Sequence, residues 1–225
     1  MNDFSTRAKS YEKEADWILS EEFIRPLVPA PFGGRRLLDV CTGTGVIAEY
    51  AADLGWDVTA IDDNKDIIQY VDNRIAVVCH DANHLPFDDN SFDLIVCRQG
   101  LQYLDRYRAI HEMLRVCKHE VRLLHGFVYQ EDIDAWKQLF RLMGKNGRDF
   151  FNDTAIYDAI AASSPSEIAC SYIMNAEIFF MKPDYMDAVK DFFRQRPEFV
   201  QRYSLCVHDD HFTYKLKWVV NRIVK

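Results

Sequence analysis

The sequence predicts an α/β fold built on a doubly wound, mostly parallel sheet of seven strands. Between residues 37 and 143, short runs that are apolar throughout alternate with amphipathic segments of helical period. Such strands are typical of a parallel sheet that helices cover on both faces, and right-handed crossovers make the sheet doubly wound. The chain has 225 residues, 48% of them hydrophobic, which is enough for one domain with a sizeable core.

The segment before the sheet, residues 8–24, combines many charges with interspersed apolar side chains such as Tyr11, Trp17 and Phe23. This pattern predicts one amphipathic helix that lies on the main body. Prolines and a pair of glycines between positions 26 and 34 end this helix and form a connector, since neither residue type continues a helix well.

The central part predicts strands and helices in alternation. Each strand is a short apolar run that ends in polar residues, and each helix has apolar positions three and four residues apart. The predicted strands are residues 37–41, 58–61, 76–79, 92–97 and 121–128. The predicted helices are residues 46–54, 66–73, 107–117 and 133–143.

The last third of the chain predicts two late strands that complete the sheet, with a helical insert as a lid. The predicted elements are a helix at 153–162, a strand at 167–181, an aromatic-rich helix at 183–194 and a strand at 212–224. Aromatic side chains between 181 and 203 either line an apolar substrate pocket or pack on the sheet. We predict a single domain over residues 1–225, with a covering helix at 8–24, a cofactor-binding core at 35–145 and a substrate lid at 150–210.

Composition narrows the class of partner. The net charge of −8 and the pI of about 5.4 make this chain a poor default binder of a nucleic-acid backbone. The six cysteines form no C-x-x-C pair and have no histidine at metal spacing, so we predict reduced thiols and no metal site. No apolar run is long enough to span a bilayer and no signal region is visible, which predicts a cytoplasmic protein without membrane insertion.

The most informative segment is the turn after the first predicted strand, CTGTG at residues 41–45, with Asp39 inside that strand. Glycines let the backbone approach a ligand closely, and the turn brings backbone N–H groups and the start of a helix to one point. This arrangement predicts a nucleotide-like ligand. The candidate binding residues here are Asp39, Cys41, Thr42, Gly43 and Gly45.

The next two strand ends also carry acids. Asp62 and Asp63 end the second strand, and Asp62 follows Gly43 by 19 residues, the spacing at which an acid accepts the hydroxyls of an adenosine ribose. Asp81 and Ala82 follow the third strand, where an acid accepts from the exocyclic amine of an adenine.

A dinucleotide site is the competing interpretation of the turn, because residues 43–48, GTGVIA, fit G-x-G-x-x-G/A. Two observations disfavour it. Asp39 would repel a pyrophosphate and suits a ligand with a cationic group, and no second glycine-rich strand–helix turn follows.

The motifs, taken in order, resemble those of the class I S-adenosylmethionine-dependent methyltransferases. The resemblance is to their small-molecule branch, near the enzymes of ubiquinone and menaquinone biosynthesis. LLDVCTGTG resembles the family's first motif, IDDN its acidic second-strand motif, and HDANHLPFDDNSFDLIVCRQGLQYL its third and fourth motifs. The resemblance covers about residues 8–128.

The resemblance implies S-adenosylmethionine as the cofactor and S-adenosylhomocysteine as its product. Asp39 and the backbone of residues 41–45 would face the methionine part of the cofactor. Asp62 would bind the ribose hydroxyls, with Asp63 beside the adenine. The remaining implied contacts are those of Asp81 and Ala82 with the adenine edge, Arg98 with the methionine group, and Tyr11, which would close over the cofactor.

Two positions depart from the family pattern. Cys41 replaces the first glycine of the first motif, and Cys-Lys-His-Glu at residues 117–120 replaces the usual proline-glycine-glycine before the fifth strand. The second departure is distant from the predicted cofactor, so it bears on the local loop and not on the activity.

No catalytic residue is identified from the sequence, and His125 in the fifth strand and Gln99 after the fourth are the candidates. Residues 98–101, RQGL, differ from the N/D-P-P-Y/F motif of nucleic-acid amino-methyltransferases. Together with the acidic charge, this favours methyl transfer to an O or N atom of a small biosynthetic molecule by a monomer or homodimer. The alternatives are a methyltransferase acting on tRNA or protein, a non-catalytic binder of the cofactor, and a nicotinamide oxidoreductase.

Overall fold

The computed structural model describes residues 20–143, 153–162, 165–180 and 182–225. The strands are β1 (Arg36–Val40), β2 (Asp57–Asp62), β3 (Ala76–Cys79), β4 (Phe92–Arg98), β5 (Cys117–Phe127), β6 (Glu167–Phe180), β7 (Cys206–Val207) and β8 (His211–Val224). The α-helices are α1 (Glu21–Ile24), α2 (Val46–Asp53), α3 (Lys65–Ile68), α4 (Arg106–Val116), α5 (Ile133–Leu142), α6 (Asp153–Ala162), α7 (Met186–Arg194) and α8 (Pro197–Arg202). Short 3-10 helices cover Leu101–Tyr103, Gln130–Asp132 and Pro183–Tyr185.

The described strands form one sheet in the order β3-β2-β1-β4-β5-β8-β6, with β7 paired to β8. Strands β1 to β5 pair in parallel, whereas β7 and β8 are antiparallel. The chain order reverses between β1 and β4, and a sheet of this kind binds ligands at the carboxyl ends of the strands beside that reversal. The predicted doubly wound, mostly parallel α/β fold is confirmed. The described sheet has eight strands where seven are predicted, because the two-residue β7 adds one.

The chain divides into two compact units. The first contains the residues up to His125, Ala155–Ser171 and Val219–Lys225, and the second contains Gly126–Thr154 and Tyr172–Trp218. The acids and glycines singled out in the sequence belong to the first unit. The predicted boundaries of a cofactor core and a lid within one domain stay predictions.

The core of the first unit is built from strand interiors and one face of each helix. Residues 37–40 of β1 and 92–97 of β4 are buried, as a strand covered on both faces requires. Helix α4 begins at the cap Asp105, whose carboxylate accepts the Arg108 N–H at 3.2 Å, and it buries Ile110 and Met113. These elements hold the ends of β1 and β4 in place for the site described below.

An aromatic cluster forms the centre of the second unit. The Trp136 ring lies 5.2 Å from Phe199 and 5.0 Å from Tyr203, measured between ring centroids. Phe192 and Phe193 of α7 are buried as well. The aromatic residues between 181 and 203 are therefore mainly core residues of this unit, as the packing interpretation expects.

Several predicted boundaries shift. Helix α3 ends at Ile68 and not at residue 73, because an Asx turn at Asp72, whose carboxylate accepts the Arg74 N–H at 2.8 Å, replaces the helical backbone. Strand β5 begins at Cys117 and not at residue 121, since Cys117 pairs with Phe92 of β4. Helix α8 is unpredicted, although Pro197 at its first turn is a typical helix start.

The predicted covering helix at 8–24 falls mostly outside the described residues, which begin at Ser20. Its end is present as α1, where the Ser20 hydroxyl accepts the Glu22 N–H at 3.3 Å and caps the helix. Tyr11 lies outside the described residues, and its contact with the cofactor stays a prediction. Among the described helices, none has the length and apolar character needed to cross a membrane.

Candidate functional site

A cavity of about 390 Å³ opens in the first unit at the carboxyl ends of the strands. It is lined by the turn after β1, by the ends of β2 and β3, and by the segment that follows β4. The predicted site residues that line it are Asp39, Cys41, Thr42, Gly43, Asp62, Asp63, Ala82, Arg98 and Gln99. Its volume is within the roughly 300–1,000 Å³ typical of small-molecule sites.

Two hydrogen bonds to acids, one in β1 and one at the end of β2, hold the turn after β1 in place. The Thr42 hydroxyl donates to the Asp39 carboxylate at 2.7 Å, and the Gly43 N–H donates to the Asp62 carboxylate at 3.0 Å. Gly43 has a φ of 59°, and a Cβ built there meets no atom within 4 Å. The backbone at Gly43 is therefore open to a ligand, as the sequence predicts.

Gly45 has a structural role, and it does not line the cavity. It precedes α2 with a φ of 95°, and a Cβ there would lie 3.1 Å from the Val71 side chain. A side chain at this position would be strained both by the backbone conformation and by Val71. Close packing therefore requires glycine at this position, and the predicted ligand contact of Gly45 stays a prediction.

Asp39 is the deepest charged group of the site, with a relative exposure of 1%. Burial raises the pKa of this carboxyl from 3.8 to about 7, although the Thr42 hydroxyl and the Arg98 guanidinium both favour its ionised form. A cationic ligand group would favour the ionised form further. Asp39 therefore suits a ligand that brings positive charge into the cavity.

Asp62 is fixed by two backbone donors, one on each carboxylate oxygen. Oδ2 accepts from Gly43, and Oδ1 accepts from the Asn64 N–H at 3.0 Å. Burial raises the pKa of Asp62 above 3.8, and the two backbone hydrogen bonds oppose that shift. A carboxylate has about four acceptor positions, so each oxygen keeps one for a ligand hydroxyl.

Cys41 fits into the turn because Gly100 lies against it. Cys41 has a φ of 57°, a conformation that favours glycine. A Cβ built at Gly100 would lie 2.5 Å from Cys41 Cβ and 2.8 Å from Cys97 Sγ. The hydrogen bond that the Cys41 thiol donates to Cys97, together with burial, holds the pKa of Cys41 well above its usual range, so this thiol stays protonated at neutral pH.

Gly100→Ala is expected to lower the free energy of unfolding by about 1–3 kcal/mol, the usual cost of overpacking a filled core. Gly100 has a φ of −85°, so the loss comes from the contact and not from the backbone. Urea unfolding measures it. In the Cys41→Gly background the same substitution should cost less, because the nearest atom is gone. An equal cost in both backgrounds would contradict the Cys41–Gly100 contact.

At the end of β3, one of the two predicted residues lines the cavity and the other does not. Ala82 lines the cavity and is buried, and His80 lines it too. Asp81 is exposed and does not line it; its carboxylate accepts from the N–H and the side-chain amide of Asn83, each at 2.9 Å. The Asp81 side chain thus stabilises its own turn, and its predicted adenine contact stays a prediction.

The segment after β4 brings polar side chains to the other side of the cavity. Gln99 has a φ of 55°, and its N–H donates to the Leu124 carbonyl at 2.8 Å. A positive φ is uncommon for a residue other than glycine, so the surrounding structure must hold the Gln99 backbone in this conformation. Such residues often occur at functional sites. The cavity residues here are Arg98, Gln99, Gly100, Gln102, Tyr103 and Leu104.

Some lining residues lie within or beside the quoted motifs but are not among the predicted site residues. They are Val46, Ile47, Asn64, Ile67, His80, Tyr103 and Leu104. All lie close to a predicted strand end, and this position is the feature of the sequence that could have indicated them. Which of them face the cavity depends on the packing of α2 and α3 against the sheet.

His125 is not a cavity residue, which argues against the prediction of a catalytic role. It is fully buried, and its Nε2 lies 2.9 Å from the Asn221 side-chain amide. The Asn221 oxygen in turn accepts from the Cys170 thiol at 3.1 Å. His125 is thus a partnered core histidine, whose hydrogen bonds satisfy a buried polar group.

Residues 38–125 match a family model described as a methyltransferase domain. The match supports the predicted resemblance to the class I S-adenosylmethionine-dependent methyltransferases. The chain is 35% identical over 111 residues to a demethylmenaquinone methyltransferase of Paenarthrobacter aurescens, a match covering 48% of the chain and 44% of that relative. Matches to the first curated relatives span only 38% to 54% of their lengths.

The fold of the chain is shared with solved structures of low sequence identity. A putative methyltransferase from Bacillus halodurans superposes with a TM-score of 0.69 at 17% identity, covering 96% of this chain and 99% of that one. A phosphoethanolamine N-methyltransferase of Haemonchus contortus, solved with S-adenosylhomocysteine, has a TM-score of 0.62 at 18% identity, covering 98% of this chain and 57% of that one. The predicted fold is therefore confirmed. The match of residues 38–125 supports the predicted family and its cofactor class.

Proposed function

We propose that this methyltransferase binds S-adenosylmethionine in the cavity and transfers its methyl group to an O or N atom of a small biosynthetic acceptor. The observation that carries the proposal is the convergence of four strand ends on one cavity. Asp39 lies in β1, Asp62 and Arg98 end β2 and β4, and Ala82 follows β3; all four line that cavity. A single ligand with a charged end, a ribose and a base would use all four.

The residues present fit such a cofactor. Asp39 and Arg98 supply opposite charges for an amino-acid end, and the free acceptor positions of Asp62 suit two neighbouring hydroxyls. Ile67 and Ala82 are apolar lining residues suited to the face of a base. The open backbone at Gly43 leaves room for the ligand chain.

When bound, the cofactor supplies an electrophilic methyl group on a sulfonium. The main requirement on the protein is then alignment, since displacement depends on proximity and geometry more than on a strong base. The fixed turn at residues 41–45 and the constrained backbone at Gln99 would orient the two reactants. Gln99, Gln102 and Tyr103 supply uncharged hydrogen-bonding groups to an acceptor.

The proposed acceptor class rests on the names of two relatives and on the net charge. The aligned curated relatives are named for demethylmenaquinone, a small molecule. The net charge of −8 disfavours a nucleic-acid acceptor. We propose a small-molecule acceptor on these grounds, in a protein without a nucleic-acid partner and located in the cytoplasm.

The cofactor part of the proposal is tested by calorimetric titration with S-adenosylhomocysteine and with NAD. We expect saturable binding of S-adenosylhomocysteine and none of NAD, because Asp39 opposes a pyrophosphate. Binding of NAD alone would contradict the proposal. Transfer of a labelled methyl group to demethylmenaquinone, to other phenols and amines, and to bulk tRNA then separates the acceptor classes.

A further inference from the structure

The guanidinium group of Arg115, on helix α4, makes three hydrogen bonds to the loop between β3 and β4. Its Nη2 donates to the Leu85 carbonyl at 2.9 Å, and its Nη1 donates to the Phe87 carbonyl at 2.8 Å. Nη1 also donates to the Asp89 carboxylate at 2.8 Å. One side chain thus contacts the loop at three points over five residues.

Glu112, one turn earlier on α4, also binds Arg115. The two residues and their contacts with the loop are called the brace. It accepts from Arg115 Nε at 2.8 Å and from Nη2 at 2.9 Å, so all five N–H donors of the guanidinium have acceptors. The second Glu112 oxygen also accepts the Leu85 N–H at 2.8 Å. The main chain adds a further link, since the Asn90 N–H donates to the Arg115 carbonyl at 3.0 Å.

The brace is directly connected to the cavity wall. Leu85 is buried and lies three residues after Ala82, the cavity residue at the end of β3. Between them, the Asn83 side-chain oxygen accepts the Asp105 N–H at 2.9 Å, which fixes the same loop to the start of α4. The loop is therefore joined to α4 and its cap at Asn83 and Leu85, one and three residues after Ala82.

We infer that Arg115 is a positioning residue for the nucleoside end of the cofactor, acting through the loop that carries Ala82. The inference rests on the proposed function, which assigns the wall at Ala82 to the base. Arg115 does not line the cavity. An exposed ion pair alone contributes little, but a planar fork that binds two carbonyls and two carboxylates at once fixes geometry, and an ammonium group does not replace it.

The test compares Arg115→Lys with wild type in titrations with S-adenosylhomocysteine and with adenosine. We expect the Kd to rise by about tenfold, the equivalent of one lost charge-assisted hydrogen bond. The factor should be the same for both ligands, because both present the same base to the wall. Arg108→Lys is the matched control: it lies on the same helix, its ion pair with Asp105 is exposed, and its Kd should equal that of wild type.

The stoichiometry fitted to each titration distinguishes a positioning role of Arg115 from a loss of folded protein. A purely structural role of Arg115 would lower the melting temperature and the binding-competent fraction with an unchanged Kd, and that result would overturn the inference. Glu112→Gln keeps an oxygen for the Leu85 N–H while weakening the hold on Arg115, and should raise both Kd values by a smaller factor. If the wild-type protein binds no S-adenosylhomocysteine, the proposed function fails and this inference with it; an unchanged Kd in the variants overturns the inference alone.

Discussion

Asp62→Ala is expected to raise the Kd for S-adenosylhomocysteine by about 100-fold, measured by calorimetric titration. Each oxygen of Asp62 has one acceptor position left for a ribose hydroxyl, and losing a hydrogen bond to a buried or charged group costs about 1–3 kcal/mol. The substitution also removes the acceptor of the Gly43 N–H, so the turn loses one of its own hydrogen bonds. Both effects weaken binding.

Two further variants sharpen this expectation. Asp62→Asn keeps one acceptor oxygen and should give an intermediate Kd. Asp66→Ala is the matched control, because Asp66 is an exposed acid four residues away that does not line the cavity. A wild-type Kd in Asp62→Ala would remove Asp62 from the site, and an equal loss in Asp66→Ala would indicate a general charge effect.

The affinity for S-adenosylhomocysteine is expected to fall as the pH is lowered from 7 to 5, because of Asp39. The pKa of this carboxyl is about 7 in the free protein. A ligand ammonium favours the carboxylate, so binding below pH 7 requires release of a proton. The Kd should then rise by up to about tenfold per pH unit. Calorimetric titrations in two buffers with different ionisation enthalpies measure how many protons are released on binding, because each released proton adds the buffer's heat of protonation.

Asp39→Asn is the control for this titration. The amide can still accept from the Thr42 hydroxyl but cannot ionise, so the Kd should be higher than that of wild type at pH 8 and nearly independent of pH. A similar slope in wild type and variant would show that another group titrates.

The same carboxyl predicts the opposite trend for the stability of the free protein. A folded-state pKa of about 7, above the ordinary 3.8, means that the folded protein binds the proton more tightly than the unfolded chain does. This contribution to stability is complete below about pH 3.8 and is lost as the pH rises to about 7. The stability of Asp39→Asn relative to that of wild type, measured by urea unfolding, should therefore increase as the pH rises from 3.8 to about 7.

Much of the site could be predicted from the sequence because a parallel sheet places its strand ends together. Asp39, Asp62 and Arg98 are far apart in the chain, yet each ends or lies within a recognisable apolar run. The alternation of strands and helices then determines that these ends share one edge. Strand identity, family and cofactor class follow from such local patterns.

Side-chain roles at the same strand ends were not predictable in this way. Asp81 and Ala82 are neighbours, but Ala82 faces the cavity and the Asp81 carboxylate turns to Asn83. His125 lies in a predicted strand, and only its buried contact with Asn221 shows a structural role. In both cases the direction of a side chain depends on partners distant in sequence or on the exact form of a turn.

The fold class, the glycine turn and the acids at the strand ends could be predicted from the sequence, because they depend on periodicity and on short-range spacing. Only the three-dimensional structure shows that Cys41 fits against Gly100, and that Arg115 binds the loop before β4. It also decided that the late aromatic residues form the core of a second compact unit. The physical reason is that close packing and hydrogen bonding to backbone carbonyls leave no periodic pattern in the residues that make them.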